Sequence, residues 1–240
     1  MEKEKTLKNL RDGAFSLGIH LTELQLKQYF LYYEMLVEKN KVMNLTAITE
    51  WDEVVSKHFL DSLSLLKCQV LNNERLIDVG TGAGFPGIPL KIAFPSLSVT
   101  LFDSLKKRLD FLEEVISTLQ LSDIRTVHGR AEELGHRKEH REAYDLCVSR
   151  AVAPLPVLSE YCLPLVKLHG RFISYKGGEF EEELAASERA VSLLGGEKKD
   201  PLCFTLYQTE QKRSLIVIEK RKETPALYPR RPGIPKKKPL

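Results

Sequence analysis

Leu76-Ile77-Asp78-Val79-Gly80-Thr81-Gly82-Ala83-Gly84-Phe85-Pro86-Gly87 is the stretch on which the fold of this chain turns. Leu76 to Val79 is a short apolar run that stops at glycines, the pattern of a strand buried on both faces. Proline is well tolerated in a first helical turn, so the segment from Pro86 to Ile92 opens a helix. A strand, a glycine turn and a helix are how a doubly wound α/β sheet begins its ligand site. Glycines there let the backbone turn tightly and approach a ligand.

The loop reads in two ways. Gly82-x-Gly84-x-x-Gly87 satisfies the dinucleotide pattern, which is weak when taken alone. The other reading is Asp78-x-Gly80-x-Gly82-x-Gly84, an acid two residues before the first glycine. S-adenosylmethionine (AdoMet) carries an ammonium, a sulfonium and a carboxylate. Asp78 suits the cationic methionyl end through water, and the amides of Gly80, Gly82, Gly84 and the helix N-terminus suit the carboxylate. A dinucleotide would bring a pyrophosphate to a place where Asp78 repels it and Pro86 withholds an N–H. The loop therefore favours AdoMet over NAD.

Downstream, strands and helices alternate. Val99-Thr100-Leu101-Phe102 is a strand ending at Asp103, and Lys106 to Leu119 is a helix with Leu109, Leu112, Val115 and Ile116 on one face. Arg125 to His128 and Ala143 to Ser149 are strands, Leu155 to Val166 a helix and Arg171 to Lys176 a strand. Glu181 to Leu194 reads as one exposed acidic helix. Phe204 to Tyr207 and Ser214 to Ile218 read as a closing antiparallel pair. The alternation means βαβ units and a mostly parallel sheet. Upstream, the first 70 residues read as helical: Thr22-x-x-Gln25 is a capping box, followed by Leu24, Tyr29, Tyr32, Leu36 and Val37 at helical spacing. Trp51 begins another helix with Thr49 as its N-cap. The expected organisation is a helical extension over 1–70 packed on a main domain over 71–222, with a basic, proline-rich tail over 223–240.

The 240 residues are 42% hydrophobic and 29% charged, an ordinary globular composition. The net charge is +3, but from Gln211 onward ten basic residues face two acidic ones, so this end carries +8 and the rest −5. Such an arm meets nucleic acid or serves as a solvated, disordered tail. The four cysteines are scattered, without CxxC or zinc-finger spacing, and no metal site is expected. The polar start Met1-Glu2-Lys3-Glu4-Lys5 has no apolar signal segment, and no run is long enough to span a bilayer. The expectation is a soluble, cytoplasmic monomer with reduced thiols.

Further site residues follow from position. Asp103 ends the second strand, 19 residues after Gly84, where such folds set an acid against ribose hydroxyls, with Ser104 beside it. An N-cap role there is the plainer alternative. His128-Gly129-Arg130-Ala131-Glu132-Glu133 follows the third strand, beside the place an adenine takes; a backbone N–H and a carboxylate suit its ring nitrogen and amino group. Arg150 ends the fourth strand at the mouth of the crevice. Lys176 precedes Gly177-Gly178 at another strand end and, with the tail cations Arg230, Arg231, Lys236, Lys237 and Lys238, is a candidate RNA contact. The tail is expected to order only on RNA. Asn44 and His58 are set near the mouth, His58 alone being more readily a structural partner of Asp61.

Five segments together resemble the RsmG family, also called glucose-inhibited division protein B. They are Asn40 to Thr46 followed by His58-Phe59-Leu60-Asp61-Ser62; the loop Asp78 to Gly87; Arg130-Ala131-Glu132; Ser149-Arg150-Ala151; and the ending Tyr228 to Leu240. The resemblance runs the length of the chain. It implies a Rossmann-like, class I AdoMet-dependent methyltransferase that modifies guanine N7 in the 530 loop of 16S rRNA, with the small ribosomal subunit as partner. It also implies Gly80, Phe85, Ala131, Glu132 and Arg150 as AdoMet contacts. N7 has a lone pair and no proton to lose, so no general base is needed and no catalytic residue is assigned. A non-catalytic RNA- or nucleotide-binding protein and an NAD-dependent oxidoreductase are the rival readings.

Overall fold

The computed structural model describes residues 2–240, with side chains from Leu7 onward; Met1 and the side chains of the polar start lie outside the described residues. Five strands run parallel: β1 (Arg75–Val79), β2 (Ser98–Asp103), β3 (Ile124–His128), β4 (Tyr144–Arg150) and β5 (Val166–Lys176). Three more, β6 (Gly196–Lys198), β7 (Leu202–Thr205) and β8 (Lys212–Lys220), pair antiparallel, with β8 lying against β5. The order is β3-β2-β1-β4-β5-β8-β6, with β7 also on β8. Strand order reverses between β1 and β4, which opens a crevice at their C-terminal ends.

The strands are apolar on both faces because both are covered. Leu76, Leu146, Val148 and Ile173 belong to one buried cluster, while their neighbours Ile77, Cys147 and Phe172 belong to the other. The period of two sends alternate residues to opposite faces. The first face carries α1 (Glu2–Ser16), α2 (Glu23–Met43), α3 (Trp51–Val54), a π-helical turn Val55–Leu60, α4 (Asp61–Leu63), α5 (Gly87–Ala93) and α6 (Lys106–Thr118). The second carries α7 (Ala131–Leu134), α8 (Leu155–Cys162), α9 (Glu181–Ala186), α10 (Glu188–Leu193) and the tail with α11 (Ile234–Lys237). The N-terminal helices thus share their core with the sheet.

The expected capping box forms and does more than cap. Thr22 Oγ1 accepts the Gln25 N–H, and Gln25 Oε1 accepts the Thr22 N–H. Gln25 Nε2 then donates to Ile92 O and Ala93 O at the end of α5. One amide closes two helix ends that would otherwise leave polar groups unpaired. Tyr29 and Tyr32, both fully buried, donate to Pro89 O at 2.7 Å and Ala83 O at 2.5 Å. These bonds fasten α2 to the glycine loop and to α5.

Several expectations need correction. Leu24 is 65% exposed, and Leu26 takes the buried position instead. Glu50, not Thr49, precedes α3, without a side-chain cap, and Thr49 O accepts from Tyr33 Oη. The helix from Leu155 stops at Cys162; Leu163–Leu165 forms a 3₁₀ turn around Pro164, which lacks an N–H, and Val166 already belongs to β5. The single acidic helix is two, α9 and α10, divided at Ser187, whose hydroxyl donates to Leu184 O. Its second half is not exposed, since Ala190 and Val191 are buried. Strand β6 was not anticipated; three residues with two lysine or glutamate side chains carry no strand pattern.

Candidate active site

The glycine loop is held from beneath. Gly80 and Thr81 both donate their N–H to Phe102 O, which ties the loop to the end of β2. Asp78 is fully buried, and its Oδ2 accepts from Thr81 Oγ1 at 2.7 Å and from the Gly87 N–H at 2.9 Å. Its Oδ1 meets no donor. Burial pushes the carboxyl up to about 6, while the two hydrogen bonds and Arg150 pull the other way. Asp78 therefore braces the loop from beneath; fully buried and not part of the cleft lining, it supports the ligand site without facing it, in place of the contact expected.

Two glycines of the loop do different work. Gly82, at φ +61°, faces open space, its nearest neighbour for a Cβ being Gly80 O at 3.9 Å. Gly84, at φ +105°, faces inward, where a Cβ would meet Tyr32 Oη at 2.6 Å, Ile88 at 2.8 Å and Leu112 at 2.9 Å. The expected ligand contact by Gly84 is thus corrected: that residue lets α2, α5 and α6 close on the loop, and it does not line the cleft.

The cleft encloses about 1060 Å³. On one side Asp103 turns its carboxylate to the loop, Oδ2 accepting the Gly82 N–H at 3.0 Å and Oδ1 the Leu105 N–H at 2.9 Å. Arg108 Nη1 reaches the same Oδ2 at 3.4 Å, so of about four acceptor positions on a carboxylate one is left for a ribose hydroxyl. Ser104, Arg130, Ala131 and Glu132 continue this wall. Glu132 is buried, and its Oε1 accepts the Gly233 N–H at 2.9 Å and Tyr161 Oη at 3.4 Å. The C-terminal segment therefore reaches the cleft.

That segment is folded onto the body, against the expectation of a tail ordered only by RNA. Arg230 donates from Nε at 2.9 Å and Nη2 at 2.7 Å to Glu160, which has no exposed surface. A buried carboxylate requires such pairing. Arg230 is thereby corrected from a free RNA contact to an anchor. Arg231, Lys237 and Lys238 stay exposed, and Lys236 lines the cleft. Lys176 also lines it, its ammonium paired with Glu183.

The mouth is built from distant segments. Arg150 donates from Nη1 to Asp61 Oδ2 at 2.7 Å, and its guanidinium lies 5.1 Å from the centre of the Phe85 ring. The His58 ring stacks on Phe85 at 4.5 Å, with Nε2 2.9 Å from Thr46 Oγ1. His58 is thus not the partner of Asp61, as expected; Asp61 takes Arg150 and lies 3.3 Å from Arg213 Nε. Burial, and then the charge of Arg150, lower the imidazole to about 3, so it is neutral. Asn44 ends α2 in a left-handed conformation and delivers Leu45 and Thr46 to the wall. Sequence reasoning missed Asp61 and Arg213 as site residues. The three-residue step from His58 to Asp61 within a helix was the available signal. Among the described residues, no group of three or more His, Cys, Asp and Glu side chains could hold a metal, and no helix is long and apolar enough to cross a membrane.

A family model for rRNA small subunit methyltransferase G, GidB, matches residues 25–215. The chain belongs to this family. Curated methyltransferase G relatives include one from Alkaliphilus metalliredigens, 54% identical over 96% of this chain and 97% of its own, and one from Acetivibrio thermocellus, 52% identical over 100% and 99%. The family's fold recurs in distant solved structures. TrmN from Thermus thermophilus is 20% identical, with a TM-score of 0.51 over 67% of this chain and 48% of its own. The YcgJ protein from Bacillus subtilis is 14% identical, with a TM-score of 0.52 over 68% and 98%. The sheet is thus the Rossmann-like one of class I methyltransferases.

Proposed function

We propose that this member of the methyltransferase G family transfers a methyl group from AdoMet to N7 of one guanine in the 530 loop of 16S rRNA. The observation that carries the reading is the meeting, in one cleft, of the loop-and-Asp103 wall with the Phe85, Arg150 and His58 mouth. Gly80, Gly82, Phe85, Asp103, Ser104, Ala131, Glu132 and Arg150 would hold the cofactor, with Asp78 supporting the loop beneath. The open space over Gly82 and the carboxylates of Asp103 and Glu132 in the lining fit a ligand with a small carboxylate, hydroxyls and an amino group. When bound, AdoMet supplies an electrophilic methyl group.

The chain's residues act chiefly by placement. Seven lysines and arginines line the cleft against three carboxylates, so its field favours an anionic partner. Arg231, Lys176, Lys236, Lys237 and Lys238 extend that field toward RNA phosphates. Phe85, covered by His58 and Arg150, backs the guanidinium plane, which offers a stacking surface to an unstacked base. Guanine N7 attacks with its own lone pair, and the neutral, hydrogen-bonded His58 is not required to take a proton. Holding N7 in line and close supplies the rate.

The test is incubation with methyl-labelled AdoMet and small subunits from cells lacking the protein, with naked 16S rRNA in parallel. Label at N7 of a single guanine is expected. Label on another atom would retain the methyltransferase and remove the target. Absence of AdoMet binding would return the NAD-dependent and non-catalytic alternatives.

A further inference from the structure

The docked C-terminal segment does more than cover the second face of the sheet. Arg141 fixes it by donating to Tyr228 O at 2.9 Å and Thr224 O at 2.6 Å, and Arg230 locks onto buried Glu160. Tyr228 and Leu240 pack against the core of that face. These anchors carry the Gly233 turn, at φ +82°, to the cleft, where its N–H binds Glu132 and where Lys236 joins the lining. Glu132 Oε1 is occupied by Gly233 and Tyr161, and no donor among the described residues reaches Oε2. A carboxylate oriented by two donors on one oxygen presents the other to an amino group.

We propose that residues 224–240 form the outer wall of the adenosine subsite, with Gly233 fixing Glu132 so that its free oxygen meets the adenine amino group. The inference rests on the AdoMet reading of the cleft. The tail is then a cofactor-binding element first, and its cations meet RNA only from this docked position. Linkage makes the effect reciprocal: if the docked tail strengthens cofactor binding, bound cofactor strengthens docking.

Two measurements on the full chain, both without RNA, test this. Gly233→Pro removes the N–H that Glu132 accepts and cannot adopt the turn. Calorimetric titration with AdoMet should show affinity weakened about tenfold, the worth of one charge-assisted hydrogen bond, with circular dichroism unchanged. On the unmodified chain, saturating AdoMet should slow trypsin cleavage after Lys236 and Lys237. Equal affinity in Gly233→Pro, together with tail cleavage indifferent to AdoMet, would overturn the proposal alone. Failure of the unmodified chain to bind AdoMet would overturn the cofactor reading and this inference with it. If the variant misfolds, tail protection in the unmodified chain decides.

Discussion

The two walls of the cleft are built by different means. The loop wall is ten contiguous residues, Asp78 to Gly87, and its chemistry is mostly backbone: N–H groups, left-handed turns and one buried carboxylate beneath. The mouth is side chains brought from α4, the π turn, β4 and β8 around Phe85 of the loop, and it is held by charge: Arg150 and Arg213 around Asp61, with His58 stacked on Phe85. The loop wall is sensitive to added volume. The mouth is sensitive to lost charge.

The largest effect is expected at the mouth. Arg150→Ala leaves Asp61, 2% exposed, with only the poorly aligned Arg213, and should cost about 3–5 kcal/mol in denaturant unfolding. Arg150→Lys should recover part of it, since charge returns without the planar fork. A loss below about 1 kcal/mol would show that Arg213 suffices and that charge does not hold this wall. Next comes volume in the loop. Gly84→Ala sets a methyl against Tyr32, Ile88 and Leu112 at a strained φ, and about 3 kcal/mol should be lost.

A pH series separates the walls by sign. His58 is neutral when folded but titrates near its ordinary value when unfolded, so stability falls as pH drops below about 6.5. His58→Gln should remove about 2 kcal/mol of that loss at pH 5. Asp78, raised to about 6, has the opposite dependence: the folded state keeps its proton longer, and stability falls as pH rises from about 4 to 6. Asp78→Asn should therefore stabilise by about 3 kcal/mol at pH 8 and by little at pH 4, while weakening AdoMet binding. Thermal melts of both variants from pH 4 to 8 check this, and slopes of the same sign would erase the contrast. The smallest stability effect belongs to Gly82→Ala, about 1 kcal/mol for the left-handed turn, since its Cβ meets open space. The same methyl stands in the cleft, so AdoMet affinity should drop although the fold does not.

The loop wall was legible in the sequence because one short segment contains it. Glycines before a helix and an acid at the end of β2 state their purpose locally. Even there the direction of each residue was hidden: Gly82 and Gly84 look equivalent in the sequence, yet one faces the cleft and the other the Tyr32 hydroxyl. The mouth was legible only as fragments. His58 and Asp61 stand three residues apart and invite pairing, but Asp61 faces a strand end 89 positions away. The tail was misread for a similar reason. Its charge suggests a free arm, and the buried carboxylate that captures Arg230 lies on α8, 70 residues upstream.

The π turn at Val55–Leu60 sets the spacing on which this mouth depends. Such a turn is an α-helix widened locally by one surplus residue, a feature found often at functional sites. Each residue of an α-helix advances the side chains by about 100°. Excising one residue here would regularise the helix and swing either His58 or Asp61 away from its partner. The surplus residue lets Thr46 and Phe85 keep His58 while Arg150 keeps Asp61. A plain α-helix one residue shorter would have to choose between them, so the length of this segment is itself part of the site.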